Sequence, residues 1–419
     1  MRVDAVRGPE SGTRHSVGVL ADRSSLAGLS WLNFLVAMMQ TGFGTFIAVN
    51  LTSANWSRTD VGLALSVASV AGIVAQVPGG LLVDMTARKR RAAGAAILII
   101  ALAAIVLALW QQHAVVYAAM ALQGSASAVL TPAVAAISLA LVAKSKLAQR
   151  LGLNTRYSAL GTAVAAGAMG VAGALTASHL TLLLAGMFGF AAIFALHRIR
   201  GEDLGRASQI TDHAAVIPLA AGGKWGARRS IAWNRDLLFF AACMLLFQLG
   251  NAGVLPLAVG SVLHREGSQG NLVVAAAVIV SQVLAAILSS PMGKMADQWG
   301  RRPVLMLGMG ALVVKATLFA FGGSSLLVVV YQSFDAISAA ALGVMLPLMV
   351  ADITHKGGHF NLAMGLVGLA SSLGAALGTV MAGAVADRFG VTLAYGLLAS
   401  IGAAATLLAR WKVCETGKC

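Results

Sequence analysis

The chain has 419 residues, of which 58% are hydrophobic and 11% are charged, and its mean hydropathy is +0.83. A soluble domain of this size cannot cover its surface with so few polar residues, so the composition excludes a water-soluble protein and indicates one embedded in lipid. On its sign alone, the net charge of +15 is also compatible with nucleic-acid binding.

Apolar runs long enough to cross a bilayer follow one another along the whole chain. A hydrocarbon core about 30 Å thick needs roughly 20 apolar residues per helix. We call the runs spans 1 to 12: 27–51, 61–83, 92–110, 114–142, 151–178, 180–197, 237–262, 271–292, 303–322, 325–351, 361–385 and 391–411. They are rich in Ala, Leu, Gly and Val and lack the alternation of barrel strands. The sequence therefore predicts an all-α integral membrane protein with twelve transmembrane helices.

The basic residues predict the orientation. With the N-terminus in the cytoplasm, only Arg58, Arg265 and Arg388 fall in outer loops, and Lys315 falls within a span. All other Lys and Arg lie on the inner side, as the positive-inside rule requires. We therefore expect both termini to be cytoplasmic, and we expect the basic residues to contact lipid headgroups rather than nucleic acid. Residues 1–26 are polar and precede a full-length span, which argues against a cleaved signal peptide.

A long polar stretch at 198–236 divides the chain into two halves of six spans each. The predicted organisation is an N-terminal tail at 1–26, a bundle at 27–197, a central loop at 198–236, a second bundle at 237–411 and a C-terminal tail at 412–419. Pro78 and Asp84 at the end of span 2 recur as Pro291 and Asp297 at the end of span 8, and Gly42 in span 1 aligns with Ala252 in span 7. Such a repeat indicates a transporter built from two related bundles.

The loops that follow spans 2 and 8 carry a motif. They read Gly80-Leu-Leu-Val-Asp84-Met-Thr-Ala-Arg88 and Gly293-Lys-Met-Ala-Asp297-Gln-Trp-Gly300-Arg301-Arg302. Both resemble the loop motif Gly-x-x-x-Asp-Arg-x-Gly-Arg-basic of the major facilitator superfamily, although Met, Ala and Gln replace some of the motif residues. The resemblance implies two pseudo-symmetric six-helix bundles and transport by alternating access.

The same resemblance implies a gate on the cytoplasmic side. Asp84 is expected to cap the start of span 11 near Asn361, and Asp297 the start of span 5 near Gly152, because helix N-termini present free N–H groups and a positive dipole. These contacts would break in the inward-open state. The alternative is that these are solvated loop charges. The predicted gating residues are Gly80, Asp84, Arg88, Gly293, Asp297, Gly300, Arg301, Arg302 and Asp352, the last placed to pair with Arg301 or Arg302.

Two further motifs of proton-coupled exporters are incomplete. Span 4 has Gln123-Gly124 without the Arg that exporters carry three residues earlier, and span 5 has a series of glycines without their Gly-Pro pair. Glycines at this spacing also serve simple helix packing. Export is therefore favoured only weakly over uptake.

Two charged residues, Lys315 in span 9 and Asp335 in span 10, fall well inside predicted spans. Each costs about 2.5 to 3.5 kcal/mol to insert, so such residues usually mark a functional site. In the superfamily, span 10 borders the central cavity whereas span 9 is peripheral. The resemblance therefore makes Asp335 the candidate proton or substrate site. Lys315 is left either as its ion-pair partner or as a lipid-facing residue that reaches the headgroups.

Neutral polar side chains occur at mid-depth in spans that line the superfamily's cavity. They are Gln40, Gln123, Gln248, Asn251, Gln282 and Gln332. Hydrogen bonds between helices, worth about 0.6 kcal/mol each in membranes, are an equally good account of any single one. Together they predict a mixed, mostly neutral cavity, which suits an amphipathic or weakly polar solute.

The predicted function is secondary active transport of a small organic solute across a bacterial inner membrane, by proton-coupled export or, alternatively, by proton-coupled uptake. Walker-type phosphate loops are absent from the sequence. An integral membrane enzyme or a receptor is less well supported. His355 and His359 are separated by a Gly-Gly pair, so no metal site is predicted. We expect no cofactor, a monomer, and protons, the solute and lipid as partners.

Overall fold

The computed structural model describes residues 21–43, 47, 50–51, 54–86, 88–175, 179–203, 234–258, 270–322, 324–355, 359–413 and 415. Long helices make up this part of the chain. They are α1 (Arg23–Thr41), α2 (Arg58–Met85), α3 (Lys89–Leu109), α4 (His113–Leu141), α5 (Lys144–Leu175), α6 (His179–His197), α7 (Arg235–Asn251), α8 (Gly270–Gln298), α9 (Arg301–Ala320), α10 (Ser325–Ser333), α11 (Asp335–Thr354), α12 (Phe360–Phe389) and α13 (Val391–Lys412). Most of the predicted N-terminal tail and central loop, and Arg265, lie outside the described residues.

The helices follow the predicted spans closely. Within the described residues, ten stretches are helical, long and apolar enough to cross a membrane, and one of them combines α10 and α11. The helices α1 and α5 occupy spans 1 and 5. The first turns of α5 carry Lys144, Lys146 and Arg150, so this helix begins seven residues before the apolar run that predicted it.

Polar residues start several helices. Ser57 accepts a hydrogen bond from the Asp60 N–H at the start of α2, and Asn234 accepts one from the Asp236 N–H at the start of α7. These side chains satisfy N–H groups that have no partner within the helix. Within the spans, Pro78 and Pro291 lie inside helices, which the packing of neighbouring helices makes tolerable in a membrane protein.

The two halves of the chain pack in the same way. In the first half α1 contacts α5 and α6, α2 contacts α4, and α3 contacts α4 and α6. In the second half α7 contacts α12 and α13, α8 contacts α10 and α11, and α9 contacts α11 and α13. Each half has its own apolar core, centred on residues such as Met39 and Ile97 in one and Phe240 and Met309 in the other. The internal repeat therefore describes two related six-span bundles.

The bundles meet most extensively through two symmetry-related helix pairs, α2 with α12 and α5 with α8. Glycine permits both approaches: a Cβ atom on Gly80 would overlap the Asn361 carbonyl, and one on Gly152 would lie 2.6 Å from the Ser289 carbonyl oxygen. Small residues allow helix backbones to come this close in membranes. These contacts lie towards the end of the molecule that carries Asp84 and Asp297, which we call the basic end.

Candidate functional site

A cavity of about 770 Å³ lies between the two bundles. Its wall comes from α1, α4 and α5 of the first half and from α7, α11 and α12 of the second. The first half supplies mainly amides and hydroxyls, among them Asn33, Thr131 and Asn154. The second half supplies larger apolar side chains, such as Phe247 and Leu346, together with a few polar ones. The two walls therefore differ in polarity.

Three of the six predicted amides line this cavity. They are Gln40, Gln248 and Asn251. Gln123 lies outside the lining because it is seven residues before Leu130, which places it about 10 Å nearer the start of α4. There its amide nitrogen donates to the Ser127 hydroxyl. Gln282 and Gln332 also lie outside it, because α8 and α10, to which they belong, contribute no residue to the wall.

Asp335 lines the cavity and forms an ion pair with Lys315. The Lys315 Nζ atom donates to the Asp335 Oδ1 atom at 2.5 Å and to the Asn251 Oδ1 atom at 2.7 Å. Lys315 is only 1% exposed, so the ion-pair alternative is confirmed and the lipid-facing alternative is wrong. Pairing offsets the cost of placing each charge in the membrane.

Irregular helix geometry surrounds this ion pair. The helix α10 ends at Ser333 and α11 begins at Asp335, with a single turn residue, Phe334, between them. Phe334 keeps right-handed helical angles, with φ of −64° and ψ of −23°, so α10 and α11 continue as one span with bonds to the third residue before at Phe334 and Ile337. Asn251 is the last residue of α7, and the turn that follows it begins at Ala252. A short departure from α-helical hydrogen bonding inside a helix often marks a functional hinge.

At the basic end, Asp84 caps the start of α12. One carboxylate oxygen accepts from the Asn361 N–H at 3.1 Å and from the Asn361 side-chain amide at 2.7 Å, and the other accepts from the Leu362 N–H at 2.8 Å. The contact predicted from the sequence is present, because α12 begins at Phe360 and these two N–H groups have no partner one turn earlier. Arg88, in the same motif, is exposed.

The predicted contact of Asp297 with the start of span 5 is wrong. Asp297 instead pairs with the Arg301 guanidinium at 3.3 Å. The reason is that α5 begins at Lys144, so the N–H of Gly152 is already used inside the helix. The Arg301 guanidinium also bonds Asp352 at 3.3 Å, as predicted. Lys144 lies 3.8 Å from Asp352 and joins the two halves at this position.

The C-terminal tail completes the second motif, which the sequence did not predict. The Glu415 carboxylate accepts from the Arg301 N–H at 2.6 Å and from the Arg302 N–H at 3.1 Å, and so caps the start of α9. The motif residue Gly300 has a φ of +101° and lies against this carboxylate. A side chain at Gly300 would meet both strain and a clash. The sequence feature that could have indicated this cap is an acidic residue, Glu415, shortly after the last span.

A buried arginine, Arg150, lies near the base of the cavity. It is 7% exposed, and its Nη2 atom donates to the Ser30 hydroxyl on α1 at 3.0 Å. Its Nε atom has no hydrogen-bond partner among the described residues. One turn later on α5, Asn154 is equally buried and donates to the Ser138 hydroxyl at 2.8 Å, while no described residue bonds its Oδ1 atom.

Two helical bundles of the same packing, a cavity between them and a capped helix contact at one end define a membrane transport protein of the two-bundle class. The chain belongs to the Major Facilitator Superfamily, whose family model matches residues 29–284 and 237–416. It is therefore a transport protein rather than an enzyme.

Relatives and solved structures agree with this assignment. Uncharacterized MFS-type transporters from two strains of Mycobacterium tuberculosis, CDC 1551 / Oshkosh and ATCC 25618 / H37Rv, are each 32% identical over 387 residues, which is 91% of this chain and 91% of each relative. The proton:xylose symporter XylE, solved with 6-bromo-6-deoxy-D-glucose, superposes with a TM-score of 0.74 at 14% identity, covering 94% of this chain and 95% of XylE. FucP in its outward conformation gives 0.72 at 14% identity, covering 93% of this chain and 99% of FucP. At this identity the likeness shows the shared fold.

Proposed function

We propose that this protein is a secondary active transporter that moves a small organic solute through the cavity by alternating access. The observation that carries the proposal is the cavity itself, which lies between two bundles that touch at the basic end through small residues and a side-chain cap. Such contacts can break and reform as the bundles rock, and the cavity then opens to the other side. We place the protein in a bacterial inner membrane with the basic end and both termini in the cytoplasm, as the positive-inside rule favours.

The lining supports an amphipathic or weakly polar solute. Amides and hydroxyls on one wall offer hydrogen bonds, and large apolar side chains on the other offer a surface for carbon groups. Asp335 is the one charged side chain in the described lining, and Lys315 pairs with it. A multiply charged solute would need several opposing charges, which this lining does not supply.

Coupling to protons is proposed to occur at Asp335. A protonated carboxyl no longer balances the Lys315 ammonium, so loss and gain of the proton change the attraction between α9 and α11 in a group that faces the cavity. We favour export by proton antiport, with proton-coupled uptake as the second candidate. The names of two structural neighbours, a proton:xylose symporter and a fucose:proton symporter, support that second candidate.

Transport in proteoliposomes tests this proposal. An imposed pH gradient of either direction is combined with a panel of lipophilic cations, sugars and small acids. Asp335→Asn is expected to abolish gradient-driven transport while retaining counterflow exchange, because exchange needs alternating access without proton movement. The matched control is Asp387→Asn, an identical change at an exposed position near the end of α12. Full gradient-driven transport by Asp335→Asn would exclude Asp335 from coupling.

A further inference from the structure

Arg150 is a buried cation without an opposite charge beside it in the part of the chain that the structure describes. Among the residues that the structure describes, no carboxylate forms an ion pair with it, and its guanidinium donates one hydrogen bond, to Ser30. Removing an ion from water costs several kcal/mol when no partner compensates. A buried polar group without a partner needs an explanation, and one such explanation is a ligand.

The position of Arg150 places it next to the transport path. It adjoins Leu151 and lies one helical turn before Asn154, and both of those residues line the cavity. Its partner Ser30 lies three residues before Asn33, another lining residue, on the neighbouring helix α1. The guanidinium therefore lies just beyond the cavity wall on the side of the basic end.

The side-chain oxygen of Asn154 is an unused acceptor one helical turn from the unused Nε donor of Arg150. The Ser138 hydroxyl donates to the Val134 carbonyl at 2.9 Å, so it accepts from the Asn154 amide nitrogen. Within the described ranges, the Asn154 oxygen is then left without a partner. Residues four apart lie on the same face of a helix. Arg150 and Asn154 thus present an unused donor and an unused acceptor side by side on α5.

We propose that Arg150 and Asn154 form the polar end of a binding site for a monocarboxylate with a neighbouring hydroxyl or amine donor. The guanidinium pairs with the carboxylate, Asn154 accepts from the neighbouring donor, and the apolar wall takes the remainder of the solute. The inference rests on the proposed transport function and specifies its substrate class. A single negative charge fits, because Lys315, the other buried cation near the cavity, is already paired with Asp335.

Ligand binding to the full chain in lipid nanodiscs tests the site with four probes of similar size. Mandelate carries a carboxylate and an adjacent hydroxyl, phenylacetate lacks the hydroxyl, mandelamide lacks the charge, and benzylammonium reverses it. Mandelate is expected to raise the melting temperature of the wild type more than phenylacetate does, and the other two are expected to have no effect. Arg150→Gln should weaken mandelate binding about tenfold or more, which is the usual effect of losing a hydrogen-bonded charge.

Variants separate binding from folding. Asn154→Ala should remove the difference between mandelate and phenylacetate, because the hydroxyl loses its acceptor. Arg150→Lys keeps the charge without the fork of donors, so it should bind mandelate with intermediate affinity even if Arg150→Gln does not fold. Arg156→Gln removes the same charge from an exposed position of α5 and should bind mandelate as the wild type does.

The outcomes distinguish this inference from the proposed function. No effect of mandelate on the wild type, or an equal effect on Arg150→Gln, would overturn the anion site. If the wild type then still moved cations or sugars along a pH gradient, the transport function would stand. Mandelate binding that depends on Arg150, without gradient-driven transport of any solute, would support the site and contradict the transport function.

Discussion

At the scale of single residues, charges inside the lipid region occur with partners or beside the cavity. Lys315 is enclosed by Asp335 and Asn251 and donates one hydrogen bond to each. Asp335 keeps 23% of its side chain exposed and faces the cavity. The pair is therefore asymmetric: loss of the carboxylate isolates a buried ammonium, whereas loss of the ammonium leaves a carboxylate that water in the cavity reaches.

This asymmetry predicts the stability of variants at the pair. Asp335→Asn should lower the free energy of unfolding by a few kcal/mol, about what breaking a buried ion pair costs. Lys315→Met alone should cost less, and the double variant should regain most of the stability because no uncompensated charge remains. Thermal melting in nanodiscs measures all three. Equal stability of Asp335→Asn and the double variant would contradict a structural role for the pair. The double variant also provides a folded protein without the Asp335 carboxylate for the transport assay.

The glycine before α9 gives a second prediction at this scale. Gly300→Ala should destabilise the protein for two reasons, its left-handed φ of +101° and the contact of the new methyl group with Glu415. The strain alone exceeds about 0.5 kcal/mol. In a Glu415→Ala background the contact disappears and the strain remains, so Gly300→Ala should cost less there. A double-mutant cycle by thermal melting measures the difference, and additive effects would refute the contact.

At the scale of helices, the ends of elements determine which predicted contacts form. Asp84 finds its helix terminus because α12 begins at Phe360, adjacent to the predicted position. Asp297 does not find one because α5 extends back to Lys144. The two copies of the motif therefore hold the basic end differently, one by a helix cap between bundles and the other by Arg301, which joins Asp297 and Asp352 within one bundle.

Loss of the Asp84 cap should favour opening of the basic end. Asp84→Ala leaves the N–H groups of Asn361 and Leu362 without acceptors in the closed state, at a cost of about 0.5 to 2 kcal/mol. Because this contact joins the bundles, the cost falls on the closed state and shifts the population towards the open one. The measurement uses a cysteine introduced at the cavity-lining residue Ser158 and a reagent supplied from the basic end. This cysteine should be modified faster in Asp84→Ala than in the otherwise wild-type protein. Arg88→Gln, at an exposed motif residue, is the control, and an equal rate in Asp84→Ala and wild type would argue against the gate.

At the scale of the whole molecule, the charge distribution and the repeat together define orientation and architecture. The basic residues that are described cluster where α2 and α8 end and where α5 and α7 begin, which is the end where the bundles touch. One face of the protein is thus both basic and the place where helices of the two bundles touch.

Cysteine labelling tests the orientation. A cysteine at Ser324, exposed before α10, should react with an impermeant reagent added to intact cells, whereas the native Cys419 should react only after the membrane is permeabilised. Cys243 is buried and should remain silent. External labelling of Cys419 would reverse the predicted topology.

The sequence by itself determined the class of protein, the number and approximate position of its spans and their two-fold repeat, because hydropathy and helix length in lipid are local properties of the chain. It also located Asp84 and the Arg301–Asp352 pair, since a short motif fixes residues near helix ends. Only the tertiary structure decided which amides reach the cavity, because rotation and depth of a helix are set by packing against its neighbours. The burial of Arg150, the capping by Glu415 and the enclosure of Lys315 likewise depend on contacts between residues that are distant in the chain.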